Sequence, residues 1–197
     1  MAETKPKPIT VSIVEEDGHF RESVGVVIGR TEGFQWISYY KTADQACRYL
    51  PREKPDVAFV DALLPGGSGV DCVAKLKSLA PRIEIILLTT YEDGDKIFDA
   101  LRAGASGYLL KTVSAGFALE AIRDVLAGRS PASPTIARRV MHFFSQPGLT
   151  TQKLTQTEST LLRLLGQGAD VKEFESLELD AEGVRAEMRK IYRKLRN

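Results

Sequence analysis

The chain has 197 residues, enough for one large domain or two small ones. A hydrophobic fraction of 43% with 27% charged residues is ordinary for a soluble globular protein, and the net charge of +1 gives no overall preference for nucleic acid or membrane. No apolar run approaches the roughly 20 residues that span a bilayer, and the N-terminus has no apolar signal core. These features predict a cytoplasmic protein without a membrane segment.

Apolar runs and amphipathic stretches alternate along the first two thirds of the chain. The apolar runs predict strands at Ile9–Val14, Phe34–Tyr40, Val57–Val60, Ile83–Thr89 and Gly107–Leu110. The amphipathic stretches predict helices at Phe20–Arg30, Thr42–Leu50, Cys72–Leu79, Asp95–Ala103 and Ala115–Leu126. This alternation predicts an α/β fold, a doubly wound five-stranded parallel sheet with helices on both faces. The two cysteines, Cys47 and Cys72, lie in apolar helical patterns that predict buried thiols.

Polar residues stand at the carboxyl ends of the predicted strands, where a doubly wound sheet binds its ligands. Glu15 and Glu16 follow the first strand, and Asp61 ends the third. Thr89 ends the fourth strand, and Lys111 follows the fifth. Because these residues converge from separate parts of the sequence, we expect an acidic pocket that contains one lysine.

The sequence changes character after the last of these helices. Gly128–Pro134 is a break rich in turn formers. Further helices are predicted at Thr135–Phe144, Gln156–Gly166, Val171–Leu177 and Ala181–Leu195. The expected organisation is an N-terminal extension (1–8), an α/β domain (9–127), a linker with a short helix (128–152) and a small all-α domain (153–197).

Four segments of the α/β domain resemble the signature regions of response-regulator receiver domains: IVEED, VDALLPGGSG, ILLTTY and GASGYLLK. Their order and spacing match those regions over about residues 9–127. The linker GRSPASPTIARRV and the tail resemble the NarL/FixJ subfamily, whose output module is a LuxR-type helix-turn-helix. The resemblance implies a flavodoxin-like receiver, a helix-turn-helix-like output domain and a sensor histidine kinase as partner.

The resemblance implies that Asp61 is the phosphoacceptor and that Thr89 and Lys111 assist it. It also implies a Mg²⁺ site formed by Glu15, Glu16, Asp61 and the backbone carbonyl of Leu63. The chemistry is consistent, since a carboxylate can attack a phosphoryl group and Mg²⁺ prefers oxygen ligands. Lysine pairs with phosphoryl oxygens as a compact charge. We therefore expect a phosphoacceptor signalling protein that is not an enzyme, apart from catalysing its own phosphoryl uptake and release.

Tyr108 matches the aromatic switch position of the family, with Thr89 as its counterpart. The phosphoryl group is expected to attract the threonine hydroxyl and leave space that the tyrosine ring enters, so that phosphorylation biases an existing equilibrium.

Glu16 departs from the family, which usually has aspartate there as the main metal-binding acid. Glutamate is one methylene longer, roughly 1.5 Å of added reach, and Mg²⁺ demands near-ideal octahedral geometry. We therefore expect weaker Mg²⁺ binding, a shift of the metal toward Glu15, or an altered phosphorylation rate.

The tail segment LTQTESTLLRLLGQGADVKE resembles the opening of the LuxR-type module. Thr155 is the expected N-cap, and Glu158 completes a capping box. The last predicted helix is basic, and duplex DNA is its expected partner. The expected DNA contacts are Arg185, Arg189, Lys190, Arg193 and Lys194.

Three departures leave a second hypothesis open for the tail. The segment KEFESLELDAEGV is one residue shorter than the family pattern, Glu187 stands where a polar or basic residue is usual, and the family's fourth helix would lie beyond Asn197. The first hypothesis is a phosphorylation-gated DNA-binding regulator. The second is a response regulator with a degenerate tail that acts through protein contacts, including a homodimer. A haloacid-dehalogenase-like phosphatase would need an acid two residues after Asp61, where Leu63 stands.

Overall fold

The computed structural model describes residues 7–90, 99–100, 103–132 and 154–166, together with Leu177, Leu179, Gly183 and Glu187. Its strands are β1 (Ile9–Val14), β2 (Phe34–Tyr40), β3 (Val57–Asp61), β4 (Leu63–Leu64), β5 (Gly67–Ser68), β6 (Glu84–Thr89) and β7 (Gly107–Leu110). Its helices are α1 (Gly18–Arg30), α2 (Ala43–Glu53), α3 (Gly69–Leu79), α4 (Ala115–Leu126) and α5 (Gln156–Gly166). None of the helices in these ranges is both long and apolar enough to cross a membrane.

Five strands form one sheet in the order β2-β1-β3-β6-β7, and every pair in it is parallel. The predicted doubly wound sheet is therefore confirmed. The strand order changes direction between β1 and β3, which makes the carboxyl ends of these two strands the expected ligand crevice. A short antiparallel hairpin of β4 and β5, which the sequence did not predict, follows β3 directly.

Both faces of the sheet are covered, and each has its own apolar core. One core includes Leu50 of α2 and Leu76 of α3, and the other includes Ile28 of α1 and Ile122 of α4. All five residues of β3 (Val57–Asp61) are buried, because this central strand contributes alternate residues to the two cores. Burial on both faces explains why its sequence is continuously apolar and does not alternate.

Side-chain caps set the start of the helices. Asp17 caps α1 by accepting hydrogen bonds from the amides of His19 and Phe20, and Ser68 caps α3 by accepting one from the amide of Val70. Both helices therefore begin earlier than their apolar periodicity predicts. The prediction of a helix over Asp95–Ala103 falls mostly on residues outside the described ranges.

The two thiols lie between α2 and α3. Cys47 Sγ and Cys72 Sγ are 3.9 Å apart, and both cysteines are buried and free. Burial raises the pKa of the Cys72 thiol well above its ordinary value, with the neighbouring Cys47 adding to the rise. The prediction of buried thiols is confirmed.

The capping box at the start of α5 is also confirmed. The Thr155 amide donates to Glu158 Oε2 over 2.6 Å, and the Glu158 amide donates to Thr155 Oγ1 over 3.2 Å. The predicted linker helix Thr135–Phe144 lies outside the described residues, as do nearly all residues of the two helices predicted after α5.

Candidate functional site

The carboxyl edge of the sheet brings together Glu15, Asp61 and Lys111. Lys111 Nζ lies 2.6 Å from Glu15 Oε2 and 2.9 Å from Asp61 Oδ2. Glu15 follows β1, Asp61 ends β3 and Lys111 follows β7, so the three residues meet only because the parallel strands end at one edge. The same ammonium lies 5.5 Å from the centre of the Phe20 ring on α1.

Asp61 is held in place by the backbone that follows it. The Leu63 amide donates to Asp61 Oδ1 over 3.1 Å, and the Ala62 amide donates to Leu88 O of β6 over 2.7 Å. α3 starts against this turn, and a Cβ atom on its first residue, Gly69, would lie only 1.9 Å from Asp61 O. The last glycine of the PGGSG segment is therefore required by this close approach.

Glu15 and Asp61 are both buried carboxylates, with 1% and 5% of their surface exposed, and they share one ammonium. Burial raises the pKa of Glu15 above its ordinary value and outweighs the hydrogen bond from Lys111, while the charge of Asp61 adds to the rise. Burial lowers the pKa of Lys111, but the hydrogen bonds and charges of Glu15 and Asp61 outweigh it and raise that pKa. The site therefore holds a protonated lysine between two acids that repel each other.

The two adjacent glutamates have opposite environments. Glu15 is buried, and its Oε1 accepts a hydrogen bond of 2.9 Å from the amide of Asp17. Glu16 is exposed, and no contact joins its carboxylate to Asp61 or Lys111. Within the described ranges, no three His, Cys, Asp or Glu side chains are grouped closely enough to hold a metal ion. The role of Glu16 as a ligand stays a prediction.

The oxygen donors nevertheless suit Mg²⁺. Glu15 and Asp61 supply hard carboxylate oxygens that already converge on a single cation, the Lys111 ammonium. Mg²⁺ is commonly held by one or two carboxylates and keeps several waters. The backbone carbonyl of Leu63, two residues beyond Asp61, stays a predicted further ligand.

Arg21 belongs to this site, although the sequence patterns did not point to it. Its Nη1 donates to the backbone carbonyls of both Glu15 and Glu16, over 3.0 and 3.1 Å. The guanidinium lies 4.5 Å from the centre of the Tyr39 ring, and the residue is 7% exposed. Arg21 thus ties the loop after β1 to the first turn of α1. One signal was available, because Arg21 lies on the buried stripe that Val24 and Ile28 continue.

Thr89 and Tyr108 lie on neighbouring strands. The β6–β7 register pairs Leu87 with Tyr108 and Thr89 with Leu110, so the side chains of Thr89 and Tyr108 share a face of the sheet. Thr89 is 1% exposed and Tyr108 is 2% exposed, so the tyrosine is already in the interior. The Lys111 amide donates to Thr89 O over 2.8 Å, which links the two strand ends to the site.

The predicted DNA contacts lie outside the described residues. They are Arg185, Arg189, Lys190, Arg193 and Lys194.

Three comparisons with known proteins bear on this site. A family model described as "Response regulator receiver domain" matches residues 11–123. The DNA-binding transcriptional activator DevR/DosR of Mycobacterium tuberculosis is 29% identical over 168 residues, which cover 84% of this chain and 77% of that protein. A two-component response regulator of the LuxR family from Aurantimonas sp. is 26% identical with a TM-score of 0.66, covering 71% of this chain and 100% of that chain. RcsB of Salmonella typhimurium shares the fold, with a TM-score of 0.65 and 20% identity. The match covers 96% of this chain and 93% of the RcsB chain.

Proposed function

This chain belongs to the response regulator receiver family, and on that premise we propose that Asp61 is its phosphoacceptor, served by a sensor histidine kinase. The family consists of signalling proteins of two-component systems, and the relatives of this chain are LuxR-type transcription regulators. The observation that carries the proposal is the position of Lys111 Nζ, 2.9 Å from Asp61 and 2.6 Å from Glu15. The arrangement supports the proposal, because phosphoryl transfer depends on positioning and on neutralisation of charge, and a doubly wound sheet binds its ligands at the carboxyl ends of its strands.

In the proposed step, an Asp61 carboxylate oxygen forms a bond to the phosphorus atom of the donor. The bond from phosphorus to the donor breaks, and the donor leaves with the electron pair. Lys111 pairs with a phosphoryl oxygen, and Thr89 donates its hydroxyl hydrogen to another. The protein needs mainly to position the reactants and to neutralise charge.

Mg²⁺ is the proposed cofactor, held by Asp61 and Glu15 with Glu16 and the Leu63 carbonyl as further ligands. When bound, the ion supplies positive charge to the transferred phosphoryl oxygens. The support is the pair of buried carboxylate oxygens that converge on one cation.

The test is to incubate the full chain with Mg²⁺ and acetyl phosphate and to measure its intact mass. The wild type should gain one phosphoryl group, and Asp61→Asn should gain none. Asp44→Asn, which neutralises an exposed acid in the first turn of α2, is the matched control and should gain the group as the wild type does. Uptake by Asp61→Asn equal to that of the wild type would refute the assignment.

We further propose that the phosphorylated protein controls transcription by binding duplex DNA through the basic segment of the tail, which the sequence predicts to be a helix. The support is the similarity over 84% of this chain to a DNA-binding transcriptional activator. The proposed contacts are Arg185, Arg189, Lys190, Arg193 and Lys194.

Salt dependence tests the DNA proposal. Binding of the phosphorylated chain to promoter duplexes should weaken steeply as salt rises, because phosphate contacts release counterions. Arg185→Ala should relax sequence preference by about 1–3 kcal/mol, whereas Lys194→Ala should weaken all sequences alike and lower the salt slope by about one unit. Absence of salt-sensitive binding at micromolar protein would refute DNA binding and favour a regulator that acts through protein contacts.

A further inference from the structure

The two cysteines of the chain lie side by side between two helices. Cys47 belongs to α2 and Cys72 lies near the start of α3, and their Sγ atoms are 3.9 Å apart. The sequence contains no third cysteine. A disulfide in this protein would therefore join this pair or join two chains.

The packing of the two helices holds the sulfur atoms together. α2 and α3 pack against each other, and both thiols lie on the buried sides of their helices, in the apolar core that includes Leu50 and Leu76. A disulfide has an S–S distance of about 2.05 Å, so the two sulfur atoms must approach by roughly 1.9 Å. Because the thiols already contact each other directly, no other group has to move out of the way.

The two thiols differ in their access to solvent. Cys47 is 8% exposed and Cys72 is 2% exposed. Burial raises the pKa of the Cys72 thiol, and the neighbouring Cys47 adds to the rise. Since the thiolate is the reactive form, Cys72 stays protonated and Cys47 is the sulfur that a small oxidant reaches first.

We propose that Cys47 and Cys72 form a reversible disulfide within the native fold when the chain meets a peroxide. The pair is then an oxidative modification site between α2 and α3, and this proposal does not depend on phosphorylation of Asp61. The oxidant is hydrogen peroxide, which is small enough to reach a thiol with little exposed surface.

The reaction has two steps. The Cys47 sulfur first bonds to one oxygen of hydrogen peroxide, the O–O bond breaks, and the other oxygen leaves as water with the thiol proton, which makes Cys47 a sulfenic acid. The Cys72 sulfur then bonds to the Cys47 sulfur, the S–O bond breaks, and the hydroxyl group leaves as water with the proton of Cys72. The two thiols together lose two electrons to one peroxide molecule.

The intact mass of the full chain tests the proposal. The native chain is treated with hydrogen peroxide, and any free thiols are then alkylated in denaturant. The treated chain should lose two hydrogen atoms, take up no alkylating group and run as a single chain on a non-reducing gel. Dithiothreitol should restore two thiols that can be alkylated. Two free thiols after peroxide treatment, or a disulfide between two chains, would overturn the proposal.

Variants of the two cysteines test whether their proximity drives the second step. In Cys72→Ala, a sulfenic acid on Cys47 has no neighbouring thiol, so dimedone added with the denaturant should label this variant severalfold more than the wild type. Cys47→Ala removes the thiol that is reached first, and it should be labelled less than Cys72→Ala. Equal labelling of the wild type and Cys72→Ala would show that Cys72 does not resolve the sulfenic acid, against the proposal.

Stability measures whether the native fold accommodates the bond. The disulfide joins residues 25 positions apart and restricts the unfolded chain, so it should stabilise the fold. The urea midpoint of the wild type should rise after peroxide treatment and return after dithiothreitol, whereas Cys72→Ala treated in the same way should show no rise. An unchanged or lower midpoint of the disulfide form would mean that the bond strains the packing of α2 on α3, and it would overturn its placement within the native fold.

Discussion

Acidic residues stand at both ends of the sheet, and their surroundings differ. At the amino end, Asp56 Oδ2 accepts hydrogen bonds from the Thr10 amide and hydroxyl over 2.8 and 2.7 Å. The Asp56 amide returns hydrogen bonds of 3.0 Å to the Thr10 carbonyl and hydroxyl oxygens, and its carbonyl accepts from the Glu84 amide. This acid is surrounded by neutral donors and tethers β1 to β3.

At the carboxyl end, Glu15 and Asp61 compete for the single ammonium of Lys111, and burial raises the pKa of Glu15. Two buried carboxylates with one counter-charge attract a further cation. The comparison predicts that the amino-end acid stabilises the fold and that the carboxyl-end acids, which form the proposed phosphorylation site, reduce the stability of the fold. Substitution of the acid at the amino end should therefore lower the free energy of unfolding, whereas substitution of an acid at the carboxyl end should leave it unchanged or raise it.

The largest expected effect on stability is at the amino end. Asp56→Ala should lower the free energy of unfolding by about 2 kcal/mol, because it removes hydrogen bonds to a charged acceptor. Phosphoryl uptake at saturating Mg²⁺ should stay at the wild-type level. Urea denaturation and intact mass measure the two quantities. Asp44→Ala, at an exposed position of α2, is the control and should change the free energy of unfolding by no more than about 0.5 kcal/mol. An equal loss of stability in both variants would contradict the comparison.

The next effect concerns Arg21, which holds the loop of the two glutamates. Arg21→Gln should weaken Mg²⁺ binding about tenfold, equivalent to about 1.4 kcal/mol, because the Glu15 and Glu16 carbonyls lose their shared donor. Calorimetric titration measures the affinity, with Arg30→Gln at the exposed end of α1 as control. Reduced stability with wild-type Mg²⁺ affinity would show that Arg21 only supports the fold.

A smaller effect, of opposite sign to that of Asp56→Ala, is expected at Asp61. Asp61→Asn should leave the free energy of unfolding unchanged or raise it by up to about 1 kcal/mol, since it removes a buried charge that repels Glu15. Lys111 keeps Glu15 as its partner. Urea denaturation without Mg²⁺ is the measurement, and a loss of more than about 1 kcal/mol would mean that Asp61 stabilises the fold as Asp56 does.

The smallest effect is expected at Glu16. Glu16→Asp restores the acid length usual in the family and should tighten Mg²⁺ binding by less than about tenfold. The free energy of unfolding should not change, because the Glu16 side chain is exposed. Calorimetric titration checks the affinity, and equal or weaker binding would indicate that this site has adapted to glutamate.

Secondary structure was largely predictable from the sequence. The predicted bounds of β1, β2, β7, α4 and α5 are those of the structure. The strands could be predicted from apolar runs because the inner strands of a parallel sheet are buried on both faces. The starts of α1 and α3 were misjudged, since the capping residues Asp17 and Ser68 are polar and lie outside the apolar period.

The site was predictable in part. Asp61, Thr89 and Lys111 stand at strand ends, so the topology alone brings them to one edge. The difference in burial between Glu15 and Glu16 could not be predicted from the sequence, because both residues follow β1 and only tertiary packing buries Glu15 and leaves Glu16 exposed. Arg21 belongs to no motif, and its position on the apolar stripe of α1 was the only signal in the sequence.

The sequence by itself determined the order of strands and helices, the acids at the strand ends and the family resemblance. These follow from side-chain periodicity and local motifs, which depend on residues a few positions apart. The tertiary structure alone decided that Glu15, and not Glu16, contacts Lys111 beside Asp61 and that residues 130–132 lie along β7. Such contacts join residues far apart in the chain, and they depend on how the strands align and on which backbones approach closely, as Gly107 permits Pro131 to do.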